Sequence, residues 1–189
     1  MMDRRRTTTI VLGAIALVAA GLVAGKRFLG NELTPIGVGV HAPNFRAATL
    51  IAAPREKSLS DYRGNVVMIN IWATWCQPCV VEMPSIEQLH QSYAPRGLKI
   101  IAVSVDDPGT DEQIRQFVKR LGLTFEILHD QGGQAGDVSR LYNADRYPQT
   151  VIIGRDGIIR KKFSGAADWN SPVNRALIER LLEERAEAD

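Results

Sequence analysis

VVMINIWATWCQPCVVEMP, from Val66 to Pro84, holds the reading on which the fold turns. Val66 to Trp72 is an almost unbroken apolar, β-rich run, which suits a central strand covered on both faces. A short loop follows, and Val80, Met83, Ile86, Leu89 and Tyr93 then recur near helical spacing. Pro84 falls inside that pattern; it removes a backbone donor and crowds the Val80 carbonyl, so a kink is expected there. Cys76 and Cys79 stand at the junction of strand and helix.

Downstream, Leu98 to Val105 reads as a second buried strand. Thr110-Asp111-Glu112-Gln113 reads as a capping box ahead of Ile114, Phe117, Val118 and Leu121, and Gly122 is the expected stop. Phe125 to Leu128 is a short strand and Gln134 to Tyr142 a short helix. Gln149 to Ile153 and Ile158 to Ser164 flank Arg155-Asp156-Gly157, a hairpin signal. Ser171-Pro172 opens a last helix with Val173, Leu177, Ile178, Leu181 and Leu182 as its buried stripe. Upstream, the pattern from Phe45 to Ile51 is a weaker strand. Parallel βαβ units ending in an antiparallel hairpin imply an α/β fold, a three-layer α/β/α sandwich.

At the amino end, Arg4-Arg5-Arg6 precedes an uncharged run from Thr7 to Gly25, and Lys26-Arg27 follows it. At the helical rise those residues span about 28 Å, close to the hydrocarbon thickness of a bilayer. The run is read first as a transmembrane helix contacting lipid through residues 7–25. A signal peptide cut after Val18-Ala19-Ala20 is the alternative, leaving a secreted soluble form without residues 1–20. Three arginines before the run against two basic residues after it favour a cytoplasmic amino terminus, with the rest of the chain across the membrane. Residues 1–28 are thus a stub with an anchor or signal, 29–42 a linker rich in glycine with Pro35, and 43–189 the folded domain.

The chain has 189 residues, 45% of them hydrophobic, and a net charge of only +2. That balance fits one globular domain and argues against a nucleic-acid partner. Its two cysteines both lie in Cys76-Gln77-Pro78-Cys79, so any disulfide within one chain joins these two. A loop that small is a poor staple for distant segments. A dithiol at this spacing carries two electrons by opening and closing one bond. At a helix mouth, Cys76 would gain a lowered thiol pKa from free N–H groups and the positive dipole end. Cys79, one turn inside, would be the more buried, resolving thiol. Pro78 suits the first turn, and Trp72 and Trp75 either shield the sulfurs or pack in the core. The same spacing also occurs as half a zinc site, but the remaining candidates, His41, His90 and His129, are widely separated. No metal and no cofactor is therefore assigned.

NIWATWCQPCVVEMP (Asn70 to Pro84), SLSDYRGNVVMINIW from Ser58, YPQTVII from Tyr147 and the later Asp-Gly hairpin together resemble the TlpA/ResA-like membrane-anchored thiol–disulfide oxidoreductases. The resemblance runs from about Gly39 to Ser171. It implies a thioredoxin-like fold, an extracytoplasmic domain facing the periplasm or cell exterior, and a reductive task such as one in cytochrome c maturation. Disulfide-containing proteins would be the substrates and a membrane thiol carrier the electron donor. Pro148 matches the cis-proline that faces the disulfide in such folds, presenting the backbone of Tyr147 to substrate chains. Glu82 matches the family's active-site glutamate, one helical turn beyond Cys79, suited to moving a proton to or from that thiol. Asn70 stands where cytoplasmic thioredoxins place an aspartate, which moves acid–base duty towards Glu82. Catalytic roles are expected of Cys76, Cys79, Glu82 and Pro148, and substrate contact of Trp75, Gln77, Pro78 and Tyr147.

Three other activities compete with a reductase. An oxidant that inserts disulfides differs only in reduction potential, on which Gln77-Pro78 bears. A peroxiredoxin-like peroxidase needs one activated cysteine in a threonine-rich pocket with an arginine, and Thr74 is the nearby threonine. A copper-binding chaperone uses a longer cysteine spacing with a supporting histidine.

Overall fold

The computed structural model describes residues 36–50 and 56–184. The expected membrane segment at residues 7–25 lies outside the described residues, as does the first half of the linker. Among the described residues no helix is long and apolar enough to cross a membrane.

Seven strands among the described residues form one sheet: β1 (Arg46–Thr49), β2 (Glu56–Ser58), β3 (Val66–Trp72), β4 (Leu98–Ser104), β5 (Glu126–His129), β6 (Gln149–Ile153) and β7 (Ile159–Ser164). Their order is β2-β1-β5-β4-β3-β6-β7. The pairs β3–β4 and β4–β5 are parallel, while β3–β6, β6–β7, β5–β1 and β1–β2 are antiparallel. Every residue of β3 is buried, which is what its unbroken apolar run requires of a strand at the middle of a covered sheet. The helices are α1 (Gln77–Tyr93), α2 (Asp111–Leu121), α3 (Asp137–Leu141) and α4 (Pro172–Glu183).

The layers follow from strand alternation. Asn70 and Trp72 share one face of β3; Asn70 reaches Glu82 on α1 and Trp72 packs on Phe117 of α2. Both crossovers step the same way across the sheet, so right-handed connections place α1 and α2 on that face. Tyr93 of α1 donates its hydroxyl to Glu179, which brings α4 alongside. On β6, Thr150 joins Asn70 while its neighbour Gln149 points the other way and donates to the Tyr142 carbonyl after α3. The second face thus carries α3, with Tyr142 edge-on to Phe45. These are the three expected layers.

Several local expectations change. Thr110 does not close a capping box: its φ of −93° and ψ of 11° are not extended, and its hydroxyl donates to the Asp107 carbonyl. The expected helix from Gln134 to Tyr142 is a 3₁₀ turn (Gly133–Ala135) and then α3, broken at Gly136. There the backbone runs against the Asp130 carboxylate, which leaves no room for a Cβ, and that carboxylate accepts from Val138 N–H. Val173, expected in the α4 stripe, is 78% exposed, while Ile178 and Leu181 are buried as expected and Asn174 joins them. Asn174, Ile178 and Leu181 recur at i, i+4 and i+7, so the buried stripe passes beside Val173. Pro84 lies inside α1 without ending it. Residues 39–42 of the expected linker run beside the hairpin, where Gly39 N–H donates to the Ile159 carbonyl and Ala42 N–H to that of Gly157.

Candidate active site

Strand β3 ends at Trp72, and the chain reaches α1 through Ala73, Thr74 and Trp75. That loop is held from below. Asp106, just past β4, accepts from both the N–H and the hydroxyl of Thr74, and from the Ser104 hydroxyl. The Thr74 hydroxyl is therefore committed to Asp106, at 2.6 Å, rather than offered to Cys76 as a peroxidase pocket would require.

Cys76 is the N-cap of α1 and is joined to Cys79 by a disulfide. Its Sγ accepts the Cys79 N–H at 3.3 Å, so a free helix-end donor points at the sulfur. On reduction that donor and the helix dipole favour negative charge on Cys76. Cys79 is fully covered, whereas Cys76 keeps 5% of its surface. Around that opening Trp75, Gln77 and Pro78 are exposed. Trp72 is wholly buried against Phe117 and is a core residue.

The second loop of the site precedes β6. The Tyr147–Pro148 peptide is cis. The Tyr147 ring meets Trp75 edge-on at 5.9 Å, which sets this loop beside the cysteine loop, and the Tyr147 hydroxyl pairs with that of Ser139. Pro148 is buried, and its carbonyl accepts the Gly165 N–H. Gly165 has φ +109°, which a residue with a Cβ rarely adopts.

Glu82 lies one turn past Cys79 and is 1% exposed. Three donors reach its carboxylate: Asn70 Nδ2 at 2.7 Å, Trp169 Nε1 at 2.9 Å and Ala167 N–H at 3.2 Å. Burial pushes its pKa up to about 7; the three hydrogen bonds pull it down but do not prevail. A carboxyl near neutrality is able both to take and to return a proton. Asn70 also donates to Thr150 Oγ1, which binds the glutamate to β6. Sequence reasoning placed Glu82 and noted Asn70 but missed Trp169 and Ala167. They come from the connection between β7 and α4, and no local pattern marks them.

The three histidines stand apart. His41 bridges to Ile158, His90 lies edge-on to Phe125, and His129 is buried between Asp111 and the Asp106 carbonyl.

Residues 38–162 match the AhpC/TSA family. The chain is 36% identical over 163 residues to the thiol-disulfide oxidoreductase ResA of Geobacillus thermodenitrificans, covering 86% of this chain and 89% of that one. It is 34% identical to the thioredoxin-like protein YneN of Bacillus subtilis, over 78% of this chain and 85% of that one. Among solved structures, a putative thiol:disulfide interchange protein DsbE from Chlorobium tepidum superposes with a TM-score of 0.68 at 26% identity, covering 78% of this chain and 99% of that one. The chain belongs to the AhpC/TSA family and, within the thioredoxin superfamily, to its ResA/TlpA-like thiol–disulfide oxidoreductases.

Proposed function

We propose that this oxidoreductase reduces disulfides in partner proteins outside the cytoplasm, tethered to the membrane by residues 7–25. The observation that carries the exchange chemistry is the pairing of Cys76, opening to the surface at a helix mouth, with buried Cys79 and Glu82 behind it, and the reductive direction rests on the ResA likeness. The Cys76 thiolate attacks one sulfur of the partner's disulfide. A bond forms between Cys76 and that sulfur, the partner's own bond breaks, and its other sulfur leaves as a thiolate that takes a proton from water. The Glu82 carboxylate takes the Cys79 proton, and the Cys79 thiolate attacks Cys76 Sγ. This closes the Cys76–Cys79 disulfide and releases the partner's second thiolate. Two electrons have then passed from the dithiol to the partner.

Trp75, Gln77 and Pro78 border the opening and are the assigned contact residues, with Pro148 shaping the loop that offers the Tyr147 backbone. A membrane thiol carrier returns the electrons by the reverse exchange. Keeping apocytochrome thiols reduced during cytochrome c maturation is the task that the ResA likeness suggests. The anchor rests on the length of the Thr7–Gly25 run and the arginines before it.

Insulin reduction by the full chain tests the activity. With Cys79→Ser turnover falls to background while a mixed disulfide at Cys76 accumulates; equal turnover in variant and wild type defeats the mechanism. Equilibration with glutathione tests direction. A potential below about −230 mV supports a reductase, and one near about −120 mV makes the protein an inserter of disulfides. Carbonate extraction of membranes tests the anchor, since a cleaved chain leaves in the soluble fraction.

A further inference from the structure

The connection between β7 and α4 touches both halves of the site. Gly165 N–H holds the Pro148 carbonyl at 2.7 Å, and two residues on, Ala167 N–H holds Glu82 Oε2. Trp169 then turns into the interior, 1% exposed, with its indole N–H on the same Oε2. Its backbone N–H donates to Ser85 Oγ, which in turn donates to the Glu82 carbonyl, so the segment is fastened to α1 at two successive points.

Trp169 is more than packing. A buried indole N–H is a donor only, and it has been spent on a carboxylate rather than on a backbone carbonyl. The other groups facing Glu82 carry no charge: Asn70 from β3, Ala167 from the connection, and Cys79 one turn back on α1. The cation at this corner, Lys161, lies over the indole with Nζ 5.3 Å from the ring and is bonded to Asn174. No cation described at this corner bonds the carboxylate, and fixed dipoles alone support its charged form.

We propose that Trp169 is a positioning residue of the exchange reaction: with Ala167 it holds the Glu82 carboxylate in place and favours its charged, proton-accepting form beside Cys79. This rests on the reading of Glu82 as the proton acceptor of Cys79. The Cys79 proton moves to Glu82, the Cys79–Cys76 bond forms, and the Cys76–partner bond breaks. Trp169 exchanges nothing; it sets the pH below which the acceptor is already occupied.

The rate of insulin reduction by the full chain is followed against pH for the wild type, Glu82→Gln, Trp169→Phe and the double variant. In the wild type an inflection near pH 7 is expected, and Glu82→Gln removes it. Trp169→Phe keeps an aromatic ring and loses the donor. It should raise that inflection by about one pH unit, lowering the rate about tenfold below it and leaving the alkaline plateau unchanged. In the Glu82→Gln background the same substitution should leave the profile alone. A wild-type profile without a Glu82-dependent inflection defeats the proton-acceptor reading. An inflection that Trp169→Phe does not move defeats the positioning role and leaves that reading intact. Should Trp169→Phe not fold, the indole N–H resonance of Trp169 in the wild type decides. It must titrate with the Glu82 midpoint, and a resonance unmoved across that range overturns the proposal.

Discussion

Glu82 and Glu87 lie on the same helix, both buried and both opposed by desolvation, yet their pKa values move in opposite directions. Glu82 is pushed up to about 7 by desolvation, against three hydrogen bonds. Glu87 is opposed by the same desolvation, yet it ends below the ordinary carboxylate range. Its carboxylate accepts the Thr124 hydroxyl at 2.5 Å, the Thr124 N–H at 2.8 Å and Gln91 Nε2 at 2.9 Å, and His90 adds attraction. The difference lies in depth: Glu82 keeps 1% of its surface and Glu87 8%. A carboxylate that retains some water needs only good donors to stay charged, whereas one cut off from water does not hold its charge so readily. One helix thus carries a proton site near its sulfur end and an anchor in its middle, tying α1 to the turn before β5.

The strongest test of that contrast is stability against pH. Folded Glu82 holds its proton more tightly than the unfolded chain does. Its contribution is therefore full below the ordinary value of 4.5 and is lost as pH rises to about 7. The loss amounts to about 3 kcal/mol. In Glu82→Gln the oxidised protein should lose that slope, so urea unfolding at acid and alkaline pH should differ by about 3 kcal/mol less than in the wild type. A variant with an unchanged slope would break the contrast.

Glu87→Gln is the mirror case. Its stabilisation is present above the unfolded value and lost as pH falls through the lowered folded one. The substitution should cost about 1–2 kcal/mol at neutral pH, read from the same unfolding curves. Thr124→Val, which removes the hydroxyl and keeps the N–H donor, should cost about 1 kcal/mol and raise the pH at which acid unfolding begins. His90→Gln should be the smallest. Desolvation lowers the His90 pKa, leaving the ring largely uncharged in mild alkali, so the change there should stay within about 0.5 kcal/mol. A larger loss would mean that His90 supports Glu87 while charged.

Legibility in the chain followed the range of the forces involved. β3 and β6 occupy the expected residues because a buried strand is written as a run of apolar side chains, whatever surrounds it. Cys76 at the helix mouth was readable because loop, cap and first turn are contiguous. The α4 stripe failed at Val173, since the buried face runs through the polar Asn174, which an apolar pattern does not mark. Thr110 failed because capping needs an extended φ and ψ, and its hydroxyl found the Asp107 carbonyl instead.

The order of residues by itself determined the αβα succession, the two sulfurs within one turn of each other, and a glutamate one turn further on, because bonded neighbours and helical repeat leave those distances little freedom. What that glutamate is worth as a proton site was decided only when β7 returned across the sheet and laid Ala167 and Trp169 on it, 85 and 87 positions along the chain. Desolvation and hydrogen bonding depend on which atoms are near in space, and the chain brings those atoms together only after the sheet has closed.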